Sequence, residues 1–227
     1  AGVQSVHVDV HHPDEISTLF DGSIVYAKGG RLLNMLKHYI GEAAFRKGLS
    51  EYFTQHAFGN TRGDDLWAAL SAASGKDVGT FMNPWLQRSG FPVVHVAQTS
   101  TDISLSQEHF LDDPSKADAT RLWPVPVFAN EVNAPEVFDT SQVKWTASKD
   151  SPVMVNMGAR GHYLVDYQST NTKKYIERQV ASQQLAEADR LMLLNSSAML
   201  ARAGYQSYGE TLRLLTAYKN EASEPVW

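Results

Sequence analysis

The apolar residues of this chain change their spacing twice, and that double change constrains the fold more than any other feature of the 227-residue sequence. A short opening run, Val6-His7-Val8-Asp9-Val10-His11, alternates apolar and polar with period two. It predicts a strand with one buried face, ended by Pro13. From Ser23 the spacing is helical. Leu32, Leu33, Leu36, Tyr39 and Ile40 fall on one side of a helix that Gly41 stops, and Phe45, Leu49, Tyr52 and Phe53 mark a second helix, expected to pair antiparallel with the first. Asp64 and Asp65 sit where negative charge favours a helix start, ahead of Leu66, Trp67 and Leu70. A fourth short helix carries Phe81, Trp85 and Leu86 up to Gly90.

At Phe91-Pro92 the pattern becomes that of short strands between polar turns: Val93, Val94, Val96, Ile103, Leu105, Val125, Val127, Phe128, Val143, Trp145, Val153 and Val155. Residues 91–170 hold 10 acidic and 5 basic side chains, a local charge of -5, whereas the flanking parts are near balance. Past residue 171 the helical spacing returns through Ile176, Val180, Leu185, Leu191, Leu194, Leu200, Leu212 and Leu215. The expected class is therefore α+β in three parts: a helical segment 1–90, an all-β segment 91–170 and a second helical segment 171–227. No internal repeat or low-complexity tract interrupts them.

With 43% hydrophobic residues the chain can build packed cores, which rules out disorder as its main state. A net charge of -5 without a dense basic patch argues against nucleic acid as a partner. The absence of cysteine removes disulfides, thiol nucleophiles and thiolate metal sites, so any metal would need His and carboxylate ligands. No apolar run approaches the roughly 18 residues that span a bilayer, and the N-terminus lacks a signal-peptide pattern. A soluble, cytoplasmic protein is expected. Because the chain begins at Ala1 and enters a strand pattern at once, it is also expected to be a piece of a longer protein.

Few residues suggest chemistry on their own. His7, Asp9 and His11 would share one face of the first strand, about 6.5 to 7 Å apart along it, close enough for two imidazoles and a carboxylate to approach one metal. A polar face on an edge strand accounts for the same pattern. The zincin motif requires Glu directly after its first His, and Val8 stands there instead. His38, His56, His95, His109 and His162 are scattered, and no nucleophile elbow, Walker loop or dinucleotide glycine pattern occurs. Gly29-Gly30 is not a phosphate cradle. Tyr26, near a helix start and followed by small residues, could present its hydroxyl at a cleft wall and donate to developing negative charge, or it could simply pack.

A resemblance narrows the choice. Glu15-Ile16 through Phe20-Asp21, then Ile24-Val25-Tyr26-Ala27-Lys28-Gly29 and Met35-Leu36, resemble the segment carrying the catalytic tyrosine of the aminopeptidase N family of zinc metallopeptidases. In the same order follow Tyr52-Phe53, His56-Ala57-Phe58-Gly59-Asn60, Asp65-Leu66-Trp67-Ala68-Ala69-Leu70, and Trp85-Leu86 ahead of Gly90-Phe91-Pro92-Val93-Val94. The stretch from Asn156 to Tyr167 is similar to the family's Asn…Gly-x-Tyr-x-Val-x-Tyr strand, and Asp189-Arg190, Leu193 and Leu200-Ala201-Arg202-Ala203-Gly204 to the start of its C-terminal helical domain. Two positions depart from the pattern: Leu164 replaces a common Arg, and Asn195-Ser196 replaces a frequent acidic pair.

The resemblance implies the helical end of a thermolysin-like catalytic domain, then an antiparallel β-sandwich, then the first helices of an α-helical domain. It implies release of N-terminal amino acids from peptides, with zinc held by His-Glu-x-x-His and a later Glu. Neither that motif nor the family's Gly-Ala-Met-Glu-Asn loop is present, so zinc is expected in the full-length parent and none in this piece. Of the catalytic set only Tyr26 carries over, as donor to the oxyanion, and no substrate-binding residue is assigned. Gly29 is expected to permit close helix approach and Lys28 to be solvated or ion-paired. The alternative is a non-enzymatic interaction module or a metal-free homologue.

Overall fold

A computed structural model describes residues 5–8, 10–18, 22–148 and 151–227. The chain divides into two compact units, Ala1–Ser89 and Gly90–Trp227. Among the described residues it is α+β, with seven α-helices, a four-stranded sheet and a separate two-stranded ladder.

The first unit is helical. A π-helical turn, Gly22–Lys28, runs directly into α1, Gly29–Ile40. Leu32, Met35, Leu36 and Ile40 are buried at i, i+3, i+4 and i+8, the stripe that a 3.6-residue period requires. Leu33, expected on that stripe, lies 39% exposed, since adjacent helical residues point about 100° apart. Gly41 breaks the helix at φ 89°, and α2, Glu42–Gln55, follows at once. The closest packing of α2 is with α3, Gly63–Ser74, rather than with α1 as the paired spacing suggested. The reason is Gly48: a Cβ there would stand 2.8 Å from Leu70 Cδ2 and 3.0 Å from Leu70 Cα, so only glycine lets the two backbones approach this closely.

α3 begins as its acidic residues indicate, with the Arg62 amide donating to Asp65 Oδ2 at 2.7 Å, and ends on left-handed Gly75. α4, Val78–Gln87, is capped by Asp77, whose Oδ1 accepts from the Thr80 amide at 2.9 Å, and buries Val78, Phe81, Met82 and Trp85. Tyr39 stacks on Phe81 at 4.2 Å between ring centres.

The predicted opening strand is a correction. No described residue of 5–11 lies in a strand, and Val8 and Val10 are 37% and 44% exposed. Alternation alone does not make a strand without a paired neighbour, and among the described residues this segment pairs with none. Instead the Val6 and His7 amides both donate to Leu86 O at 2.9 Å, at the end of α4.

In the second unit β1 (Pro92–Gln98), β2 (Asp102–His109), β5 (Gln142–Thr146) and β6 (Leu164–Tyr167) form a sheet in the order β5-β2-β1-β6. β1 and β2 are an antiparallel hairpin from Pro92↔His109 to Gln98↔Ile103. β6 runs parallel to β1, with Val93 opposite Leu164 and Val96 opposite Tyr167, so the sheet is mixed rather than wholly antiparallel. Apolar spacing reports which face is buried and carries no information on strand direction. β3 (Val125–Pro126) and β4 (Val137–Phe138) pair as the two-stranded ladder. Val153 and Val155 are buried but not in a strand, because side chains take the amides of this stretch: Gln98 Oε1 accepts from Val153 and Asn130 Oδ1 from Met154, both at 2.8 Å, and the Tyr167 hydroxyl from Val155 at 3.1 Å.

Three helices complete this unit: α5 (Thr170–Ala181), α6 (Glu187–Arg202) and α7 (Tyr208–Leu215). All four residues of β6 are buried, which fits a strand covered on both faces. Val93, Phe110, Leu164, Leu200 and Ala203 form one apolar cluster joining β1, β6 and α6. Each such side chain contributes about 1.5–3 kcal/mol by leaving water. Among the described residues no helix is long and apolar enough to cross a membrane.

Candidate functional site

Tyr26 sits in the π-helical turn before α1, and its side chain is 64% exposed. π-turns are uncommon and recur at functional sites. Two residues further on, Lys28 is 7% exposed, and its Nζ donates to Arg88 O at 3.0 Å. The acceptor belongs to the carboxyl end of α4, where helix geometry leaves carbonyls without intrahelical donors. The same end receives the Val6 and His7 amides, so two segments of the unit are tied to one helix terminus. Residues two apart in a helical turn do not face each other, and here the ammonium lies inward while the phenol lies outward.

Burial lowers the Lys28 ammonium to a pKa of about 8 from its ordinary 10.5. Burial also lowers that of Arg31, one turn into α1. An outward phenol on a firmly held turn can donate its proton in a hydrogen bond to a negatively charged oxygen.

Of the two settings expected of Lys28, solvated or ion-paired, its burial removes the first. A signal was present in the sequence: carrying the α1 stripe of Leu32, Met35 and Leu36 back by four residues reaches Lys28. Gly29 is corrected as well, since a Cβ at Gly29 or Gly30 would meet nothing within 4 Å among the described residues. The close approach in this unit belongs to Gly48.

His7 and His11 are both exposed, and Asp9 lies outside the described residues. The His11 amide donates to Glu15 Oε2 at 3.0 Å. Among the described residues no three His, Asp or Glu side chains stand together as metal ligands could, so a zinc ion does not fit the donors present. Of the scattered histidines, His95 has the most defined setting. Its Nδ1 lies 2.8 Å from Asp166 Oδ2, directly across the parallel ladder, and its Nε2 lies 3.4 Å from Glu108 Oε1. Burial works to lower its pKa, but the two carboxylates outweigh burial and raise it.

The Asn156–Tyr167 stretch is structural. Asn156 is fully buried with φ 60°, and its Oδ1 accepts from the Gly161 amide at 2.6 Å. The Tyr163 hydroxyl donates to Pro126 O at 2.8 Å and Val127 O at 2.9 Å, tying β6 to β3. Asp189, in the first turn of α6, accepts from the Gly158 amide at 2.5 Å. Leu164, at a position of departure from the resembling pattern, is part of the apolar cluster.

Comparison with known proteins gives two family matches: the Peptidase family M1 domain over residues 1–85 and the ERAP1-like C-terminal domain over residues 152–227. The chain is 40% identical over 228 residues to aminopeptidase N of Lactococcus lactis subsp. lactis, covering 98% of this chain and 26% of that protein. It is 34% identical over 235 residues to aminopeptidase N of Lactobacillus helveticus, covering 99% of this chain and 27% of that protein. With the alanine/arginine aminopeptidase of Saccharomyces cerevisiae the identity is 31% over 227 residues, covering 98% and 26%. The chain therefore spans about a quarter of the length of the curated relatives it matches.

Proposed function

Because the chain belongs to peptidase family M1, we propose that it is part of a metallo-aminopeptidase that releases N-terminal amino acids from peptides, and that its contribution to the reaction is Tyr26. The observation that carries this reading is an exposed phenol at the position where the resemblance puts the catalytic tyrosine. As the first peptide carbonyl of a substrate is attacked, its oxygen gains negative charge. The Tyr26 hydroxyl donates a hydrogen bond to that oxygen and strengthens it as charge develops. Removing one such donor typically costs about 2.7–4 kcal/mol of barrier, roughly a hundred- to a thousandfold in rate.

Among the described residues no group of side chains assembles a metal site. The zinc that the family uses would be held by parts of the parent outside these 227 residues. The same reading takes the three segments 1–90, 91–170 and 171–227 as the end of the catalytic domain, a β-sandwich domain and the start of the helical domain. Peptides are its substrates, and the cytoplasm is its setting, with which a chain without cysteine is compatible.

The test is Tyr26→Phe in the full-length protein. Turnover of an aminoacyl p-nitroanilide should fall by about two to three orders of magnitude with zinc content unchanged. Unaltered turnover would remove Tyr26 from the mechanism. The isolated 227-residue chain is expected to be inactive on the same substrate, and hydrolysis by it with stoichiometric zinc would contradict the assignment.

A further inference from the structure

We infer that Lys28 is a positioning residue for Tyr26: by anchoring the inner side of the π-helical turn to the carboxyl end of α4, it fixes the direction in which the phenol points. The inference rests on the reading of Tyr26 given above. Three observations carry it. Lys28 and Tyr26 share one seven-residue turn, Gly22–Lys28, with Lys28 7% and Tyr26 64% exposed. The anchor spans 60 residues of sequence, from Lys28 Nζ to Arg88 O at 3.0 Å, so it ties the turn to a separate element rather than to its own helix. Its acceptor lies at a helix C-terminus, where aligned peptide dipoles favour a cation.

The turn runs directly into α1, so its position follows that helix, and the Lys28 anchor adds a hold on a second element, the end of α4. Rotation of the turn about its axis carries the phenolic oxygen along an arc, and a displacement of about 1 Å at a reacting group can cost on the order of a hundredfold in rate. A buried ammonium donating to a fixed carbonyl resists that rotation. Lys28 touches no substrate in this scheme and acts only through Tyr26.

The experiment is a double-mutant cycle in the full-length protein with Lys28→Met and Tyr26→Phe, read as kcat and KM on an aminoacyl p-nitroanilide. Lys28→Met should lower kcat on the order of 10- to 100-fold with KM nearly unchanged. In the Tyr26→Phe background the same change should cost less than about twofold, because no phenol remains to be misdirected. Equal losses in both backgrounds, or no loss beside Tyr26, would overturn the inference and leave the role of Tyr26 intact. A Tyr26→Phe protein with full turnover would overturn the reading of Tyr26 and this inference with it. Lys28→Arg keeps a donor able to reach the Arg88 carbonyl and should retain most of kcat. A folded Lys28→Arg protein as slow as Lys28→Met would also count against the anchor, and it serves alone if the Met variant does not fold.

Discussion

Gly48→Ala should destabilise the first unit, whereas the same substitution at Gly30 should stabilise it. Both glycines lie inside α-helices, where Ala is worth up to about 1 kcal/mol over Gly by propensity alone. What differs is the space beyond the helix. At Gly30 a Cβ meets nothing within 4 Å among the described residues, so the gain stands, reduced somewhat because the residue sits in the first turn of α1. At Gly48 it would lie 2.8 Å from Leu70 Cδ2, 3.0 Å from Leu70 Cα and 3.1 Å from Ala69 O. The leucine methyl can move aside, but the other two atoms are backbone of α3 and yield only if the helices separate. Overpacking of this kind costs about 1–3 kcal/mol, and the upper half of that range less the propensity gain leaves Gly48→Ala about 1–2 kcal/mol less stable. For a domain of 60–100 residues each kcal/mol moves the melting midpoint by roughly 4–8 °C. Thermal unfolding by circular dichroism of the chain and both variants provides the assay. A Gly48→Ala protein as stable as the parent, or melting with Gly30→Ala, would refute the claim that backbone approach selects glycine there.

Two further outcomes concern the second unit. By NMR titration His95 should show a pKa above 6.5, and Asp166→Asn should lower it. Since the folded-state value is the raised one, the stability that the pair adds is fully present below pH 6.5 and is lost as pH rises through the folded pKa. Asp166→Asn should accordingly cost more stability at pH 6 than at pH 8.5 in urea unfolding, and a pH-independent cost would refute the pairing. Asn156→Ala should destabilise by about 3 kcal/mol, because it leaves the buried Gly161 amide without its 2.6 Å acceptor and puts alanine at φ 60°. Asn156→Gly should be milder by about 1 kcal/mol, and equal costs for the two would remove the backbone part of that account.

The periodic residues were the legible ones. Leu32, Leu36 and Ile40 in α1, Phe81 and Trp85 in α4, Ile103 and Leu105 in β2, and Ile176 and Val180 in α5 all lie inside, because an apolar stripe at the right period needs no knowledge of its partner. Where the stripe is shallow the reading slips: Phe53, Leu191 and Leu212 are 66%, 39% and 63% exposed. Only the resemblance marks β6 as a strand, and its parallel direction depends on where the chain returns after the β3–β4 ladder, which period does not encode.

The polar residues that turned inward were illegible for a different reason: their partners are distant in sequence. Gln107 serves both Trp123, through its main-chain carbonyl and amide, and the Thr140 carbonyl; Asp189 holds the Gly158 turn; Lys28 reaches Arg88. A buried polar group is tolerated only when its hydrogen bonds are made, so its place is decided by tertiary structure and not by its neighbours along the chain. This separates two kinds of information about the candidate site. The local pattern around Tyr26 identifies which residue could donate to an oxyanion. The direction of that donor depends on an anchor 60 residues away, which a pattern centred on the tyrosine does not contain. A relative could keep every residue from Ile24 to Gly29 and still misdirect the phenol if α4 ended one residue earlier, because the carbonyl that receives Lys28 would then stand elsewhere.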